Sequence, residues 1–169
     1  MAQDIKKEYT ARIHKLQSAL EAASLDAHIV TTDENMTYLS GVSCHSGERK
    51  LMMVIPRVGA PSIIVARMDQ AVMLTNAVTD KVLVYKELDA KPENSWQQAL
   101  LKALGSAREI GIDPDAEIHI STALQDYSWQ VSSAVEDLRT IKSPYEISLI
   151  RAAANYWSEA MRDILKVVK

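Results

Sequence analysis

The chain has 169 residues, of which 47% are hydrophobic and 24% charged, and it carries a net charge of −3 with a pI near 5.8. That length suits one domain with an appendage, the mild acidity argues against a nucleic-acid surface, and no apolar run approaches the ~20 residues of a membrane-spanning helix. Cys44 is the single cysteine, so an internal disulfide is excluded; together with the polar start "MAQDIKKEY", this makes a reducing cytoplasm the expected setting.

Residues 4–24 read as an amphipathic helix, with Tyr9, Ile13, Leu16, Leu20 and Ala23 on one face. Lys6, Lys7, Arg12 and Glu21 are expected to face water. "AHIVTT" (27–32) predicts a short buried strand. "DENMTYLSG" (33–41) predicts a helical turn capped by Asp33 and closed by Gly41. A polar loop (42–49) leads into a strand at 50–56, a turn at "RVGA", and a strand at 61–66 as its hairpin partner. A helix is expected over 67–78 and a strand over 81–85. Ser95 should open a helix that buries Trp96, Leu100 and Leu104 and ends at Gly105. "EIGID" (109–113) predicts a strand. Ser121 should open a helix carrying Leu124, Tyr127 and Val131, and "AVEDL" (134–138) reads as a last short strand.

The terminal segment has the best-defined helix start. Ser143 is a favoured N-cap, Pro144 stands at the first helical position, and Glu146 completes an S-x-x-E capping box. Ile147, Ile150, Ala154, Trp157, Met161, Ile164 and Val168 then recur at steps of three and four, as one apolar seam. No Gly or Pro closes the helix, so it is expected to continue into something further along the parent chain. The alternation of strands and helices, with one hairpin, predicts a three-layer α/β/α domain with a mixed, mostly parallel sheet.

The common chemical motifs do not occur. There is no G-x-G-x-x-G, no phosphate-binding loop, no H-E-x-x-H, no C-x-x-C and no G-x-S-x-G. His14, His28 and His119 read as packed or surface residues. Met52, Met53, Met68 and Met73 read as core filler, and Asp33–Glu34 and Asp113–Asp115 as cap and turn residues. His45 and Arg49 stand out because they share the polar loop with Cys44 and Glu48. That loop is either a solvated surface or a ligand-facing one. Arg49 either grips a carboxylate two-pronged or forms a surface ion pair with a neighbouring acid.

Four segments in order resemble the creatinase/prolidase/aminopeptidase P family. They are "RIHKLQSALEAASLDAHIVTTDENMTYLSGV" (12–42), with Asp26, Ala27, Asn35, Tyr38, Leu39, Ser40 and Gly41; "SGERKLMMVIP" (46–56); "IGIDPD" (110–115); and "LRTIKSPYEISLIRAAA" (138–154). The resemblance implies a creatinase/prolidase N-terminal domain, ribonuclease H-like, over 1–142. It makes 143–169 a connector helix that starts a catalytic domain absent from this chain. It further implies that the parent is a metal-dependent Xaa-Pro peptidase-like hydrolase. Two divalent metal ions would be held in the missing C-terminal domain, and the present domain would contribute dimerisation and substrate gating. His45 and Arg49 are then substrate-lining candidates, with no catalytic or metal-ligating residue in the chain. The expected partners are its own C-terminal domain, a second copy in a homodimer, and a peptide or small-molecule substrate. "ARMDQAV" (66–72) looks closer to creatinase-type hydrolases of small C–N bonded metabolites. A binding module without catalysis and a small self-contained enzyme around His45 are the remaining alternatives.

Overall fold

The computed structural model describes residues 2–43, 47, 49–88 and 91–168. Among them, six strands form one sheet: β1 (Ala27–Val30), β2 (Met52–Pro56), β3 (Ser62–Ala66), β4 (Val82–Tyr85), β5 (Glu109–Ile112) and β6 (Ser128–Val131). Their order across the sheet is β4-β3-β2-β1-β5-β6. β2 pairs antiparallel with both β1 and β3, while the β1–β5, β3–β4 and β5–β6 pairs are parallel. One reversed strand in an otherwise parallel sheet is what a single hairpin inserted among helical crossovers produces.

Helices cover both faces. On one side lie α1 (Ala2–Ala22), α2 (Asp33–Ser40), α3 (Gln70–Asn76) and α6 (Ala134–Thr140). Their Leu16, Leu20, Met36, Leu39, Met73 and Val135 pack on Val30, Met53, Ile55, Ile63 and Val65 of the sheet. On the other side, α4 (Trp96–Leu104) and α5 (Ile118–Ala123) lay Leu100, Leu104 and Ile120 on Ile29, Met52, Val54, Ile64 and Ile110. The central strands are therefore apolar on both faces, with β1, β3 and most of β2 fully buried. Each buried Leu, Ile or Met contributes about 1.5–3 kcal/mol to holding these layers together.

Local sequence explains most boundaries. Ser95 caps α4 by accepting from the Gln98 N–H, and Gly105 ends it. Gly41 ends α2 at φ 80°, where a Cβ would also lie 2.5 Å from the Tyr9 ring. No other residue fits both constraints.

Several expectations are corrected. The cap of α2 is Thr32, whose hydroxyl accepts from the Asn35 N–H, and Asp33 is the first helical residue. The 67–78 stretch is a 3₁₀ turn (Arg67–Asp69) followed by the shorter α3, and Met68 is exposed rather than core. The helix expected from Ser121 to Val131 is two elements: α5 begins at Ile118 and stops at Ala123, and "SWQV" is strand β6, paired along β5. Leu124, Tyr127 and Val131 match helical spacing by coincidence, and the Trp and Val in the run suit a strand. The strand expected at 134–138 is helix α6. Two serines precede it, and Glu136 and Asp137 occupy its first turn, a helix-start pattern that outweighs the apolar pair Ala134–Val135. Arg12, expected in water, is buried. Its guanidinium lies 4.2 Å from the Tyr38 ring centre and 5.2 Å from that of Tyr9, and Nη1 donates to the Tyr38 carbonyl at 2.8 Å. Ala23, assigned to the buried face, is exposed.

The chain divides into two compact units, Met1–Leu138 and Arg139–Lys169. The first holds the sheet. The second is dominated by α7 (Pro144–Val167), whose start carries the complete capping box: Ser143 Oγ accepts from the Glu146 N–H at 3.2 Å, and Glu146 accepts from the Ser143 N–H at 2.9 Å. Taken alone, this unit has, among its described residues, no helix or strand besides α7 and the last residues of α6.

Candidate functional site

Strands β1 and β5 lie side by side and parallel, yet the helices that follow them go to opposite faces of the sheet. α2 sends Met36 and Leu39 into one apolar layer, and α5 sends Ile120 into the other. Where two such connections part, the carboxyl ends of the strands leave a crevice. Here it is a cleft of about 280 Å³. Thr31, Thr32, Asp33 and Glu34 line it after β1, Asp115 and Glu117 after β5, and Arg49 to Leu51 ahead of β2, with Met52 at the start of that strand.

Arg49 therefore reaches the cleft, and the structure also gives it a partner. Its Nε donates to Asp69 Oδ2 at 2.9 Å and its Nη2 to Oδ1 at 3.5 Å, with Glu87 at 4.0 Å. The hydrogen bond to Asp69 holds the guanidinium above its ordinary pKa. The side chain is one-third exposed (34%), so the pair fixes Arg49 without enclosing it. Next to it, the Lys50 N–H donates to the Tyr85 hydroxyl at 2.8 Å, and the Lys50 amine pairs with Glu117. Burial pushes the Tyr85 phenol up. His45 lies outside the described residues.

Beneath the cleft sits a buried polar group that sequence reasoning missed. His28 and Asp113, expected to be unremarkable, are both fully enclosed, and His28 Nε2 lies 2.9 Å from Asp113 Oδ1. The other carboxylate oxygen accepts the Thr31 N–H at 2.8 Å and, more weakly, the Thr32 N–H at 3.4 Å. Burial drives the Asp113 carboxyl upward, but the bonds from His28 and Thr31 outweigh it and hold the group below the usual carboxylate value. His28 Nδ1 is buried without a partner, which fits a tautomer with its proton on Nε2. Gly111 makes room for the ring, since a Cβ there would lie 2.7 Å from Nδ1. The signal in the sequence was His28 within an otherwise apolar strand, matched by the acid that ends "EIGID".

His14 is exposed on α1 beside Gln17, and His119 is exposed on α5. Among the described residues no group of three or more His, Cys, Asp or Glu side chains is arranged to hold a metal ion. Among the same residues no helix is long and apolar enough to cross a membrane.

Residues 12–141 match the Creatinase/Prolidase N-terminal domain, and the chain belongs to that family. It is 24% identical over 143 residues to uncharacterized peptidases of Staphylococcus epidermidis and Staphylococcus aureus, covering 85% of this chain and 40% of each relative. The chain thus spans about 40% of the length of the curated relatives it matches. The fold is similar to that of an Xaa-Pro dipeptidase from Bacillus anthracis, with TM-score 0.78 and 18% identity, over 95% of this chain and 44% of that one. It is also similar to the Creatinase/Prolidase N-terminal domain of an X-Pro dipeptidase from Streptococcus pyogenes, with TM-score 0.62 and 18% identity, over 72% of this chain and 98% of that one. The residues that carry the resemblance are architectural here. Asp26 accepts the Arg108 and Glu109 N–H groups, which lower its pKa, and so joins the start of β1 to that of β5. Asn35 bonds Glu136 of α6, Tyr38 stacks on Arg12, and Gly41 turns the chain.

Proposed function

We propose that this chain is the non-catalytic N-terminal domain of a metal-dependent Xaa-Pro peptidase-like hydrolase. In this reading residues 1–142 are the gating domain and 143–169 the connector into a C-terminal catalytic domain. The observation that carries it is the family match over 12–141 in a chain that spans 40% of relatives named as peptidases. The chemistry would belong to a dinuclear metal site outside residues 1–169. A metal pair polarises a scissile carbonyl and supplies hydroxide, but substrate choice needs walls around it. The loop before β2 would supply such a wall across a two-fold dimer, each copy closing its partner's cleft. His45 and Arg49 are the proposed substrate contacts. The setting would be the cytoplasm.

A creatinase-type hydrolase of a small metabolite is the second reading. The specific support is the Arg-Met-Asp segment, whose Asp69 fixes Arg49 and so presents a guanidinium suited to a compact carboxylate.

The test is to express the full reading frame that includes residues 1–169 and assay Xaa-Pro dipeptides and creatine with Mn²⁺ or Co²⁺. The chain 1–169 alone is assayed beside it. Turnover of a dipeptide by the long product only supports the first reading, and turnover of creatine the second. Turnover by 1–169 alone overturns both, as does a continuation with no cluster of side chains able to hold a metal pair.

A further inference from the structure

β4 is the last strand in the sheet order and pairs only with β3. The Ile63 N–H bonds the Lys81 carbonyl. In this parallel pair Leu83 and Tyr85 therefore also turn their main-chain groups to β3, while Val82, Val84 and Lys86 turn theirs outward. The Val82 N–H is taken by the Asp80 carbonyl and the Lys86 N–H by that of Asn94. Among the described residues, the Val82 carbonyl and the Val84 N–H and carbonyl have no hydrogen-bond partner. A groove of about 410 Å³ runs along this edge. Val82, Leu83 and Val84 form its floor, and Gln98, Ala99 and Lys102, on one face of α4, form its far wall. Its charge is divided between the ends. Glu93 adjoins Asn94, where β4 stops, and Lys102 stands two turns along α4 from the Ser95 cap.

We propose that this groove takes an extended segment of a partner protein as an added strand, antiparallel to β4, the more stable of the two pairings. The segment's residue opposite Val84 exchanges two main-chain hydrogen bonds with it, and the residue two positions on donates to the Val82 carbonyl. Leu83 and Tyr85 point into the α4 layer, so the segment residues opposite them point there too. The antiparallel direction brings the earlier part of the segment to Glu93 and the later part to Lys102. The fitting sequence has a basic residue, a small or apolar one two positions on beside Ala99, and an acidic one four positions on. Four strand steps span about 13 Å, enough to cover the two helical turns between the charges. The docking is independent of any catalytic role for the parent protein.

The experiment titrates isotope-labelled chain 1–169 with three capped peptides: acetyl-Arg-Val-Val-Thr-Glu-amide, its charge-swapped form acetyl-Glu-Val-Val-Thr-Arg-amide, and the first peptide N-methylated at its second residue. At about 1 mM, the first should shift the Val84 amide resonance and slow its exchange. The N-methylated peptide, which lacks the donor to the Val84 carbonyl, should do neither. The charge-swapped peptide should bind at least about threefold more weakly, as two exposed pairs are lost. A Glu93→Lys, Lys102→Glu double variant, changed only at exposed positions, should reverse the preference between the two charged peptides. Val84→Pro removes an N–H that β3 does not use and should abolish binding. An undisturbed Val84 amide, equal binding of the N-methylated peptide, a preference that the double variant does not reverse, or shifts confined to another surface each overturn the proposal.

Discussion

Replacing Asp113 with alanine tests the buried group most directly. The carboxylate serves His28 Nε2 at 2.9 Å, the Thr31 N–H at 2.8 Å and, more weakly, the Thr32 N–H at 3.4 Å. Removing it strands three donors, the last of them weakly bound. At roughly 1–3 kcal/mol each, independent losses would reach about 3–9 kcal/mol. The donors share one acceptor and water can enter from the cleft, so the lower part of that range applies. For a unit of this size the melting temperature should fall by roughly 10–15 °C. The assay is urea and thermal unfolding followed by Trp fluorescence, with Asp113→Asn alongside. Asparagine keeps the shape but turns an NH₂ toward one of the donors, so its loss should be intermediate. A loss below about 1 kcal/mol for Asp113→Ala would refute the view that this carboxylate organises the start of α2.

The pH dependence follows from the same group. Its folded pKa is depressed, so its contribution is complete above the ordinary carboxylate value and disappears as pH falls through the lower folded value. Urea midpoints of the wild type should therefore drop on the acid side of pH 4, and Asp113→Asn should flatten that part of the curve. Gly111→Ala would place a Cβ 2.7 Å from His28 Nδ1 and 3.1 Å from Leu25, and should cost about 1–3 kcal/mol in equilibrium unfolding. Ser143→Ala removes one half of the capping box of α7 and should cost ~1 kcal/mol, read as faster amide exchange in the first turn of that helix. Arg49→Ala breaks a one-third-exposed pair and should change stability by less than about 1 kcal/mol. In the full-length parent it should alter the ranking of substrates by kcat/KM, and an unchanged ranking would remove Arg49 from the proposed substrate wall.

How legible all this was depended on whether the deciding interaction was local. The capping box at Ser143, the Ser95 cap, the β2–β3 hairpin and the Gly41 stop each depend on residues within a few positions, and each was readable. The split of 118–131 into α5 and β6 was not, because β6 exists by pairing with β5, which lies 19 residues earlier in register. The short range of the helix-start signal at Ser132–Asp137 made α6 accessible in principle, but two apolar residues drew the reading toward a strand. The cleft could not be foreseen at all. It arises because α2 and α5 leave neighbouring strands for opposite faces, and face assignment depends on the whole sheet. Arg49 was singled out from its loop, while its partner Asp69 needed the fold to bring the 3₁₀ turn beside it.

The polar network also bears on why the family signature is spaced as it is. Asp26 and Asp113 bracket the β1–β5 pair at opposite ends, the first binding main-chain N–H groups where β5 begins and the second those where β1 has ended. Parallel strands separated by about 80 residues of intervening chain have no turn to set their register. Two carboxylates that each accept backbone N–H groups fix that register from both ends. A one-residue slip of β5 against β1 would strand His28 and Asp113 as well as reverse the apolar faces. Thr32, whose N–H leans on Asp113, also caps α2 by accepting the Asn35 N–H, so the β1–β5 register and the start of α2 follow from one connected set of hydrogen bonds.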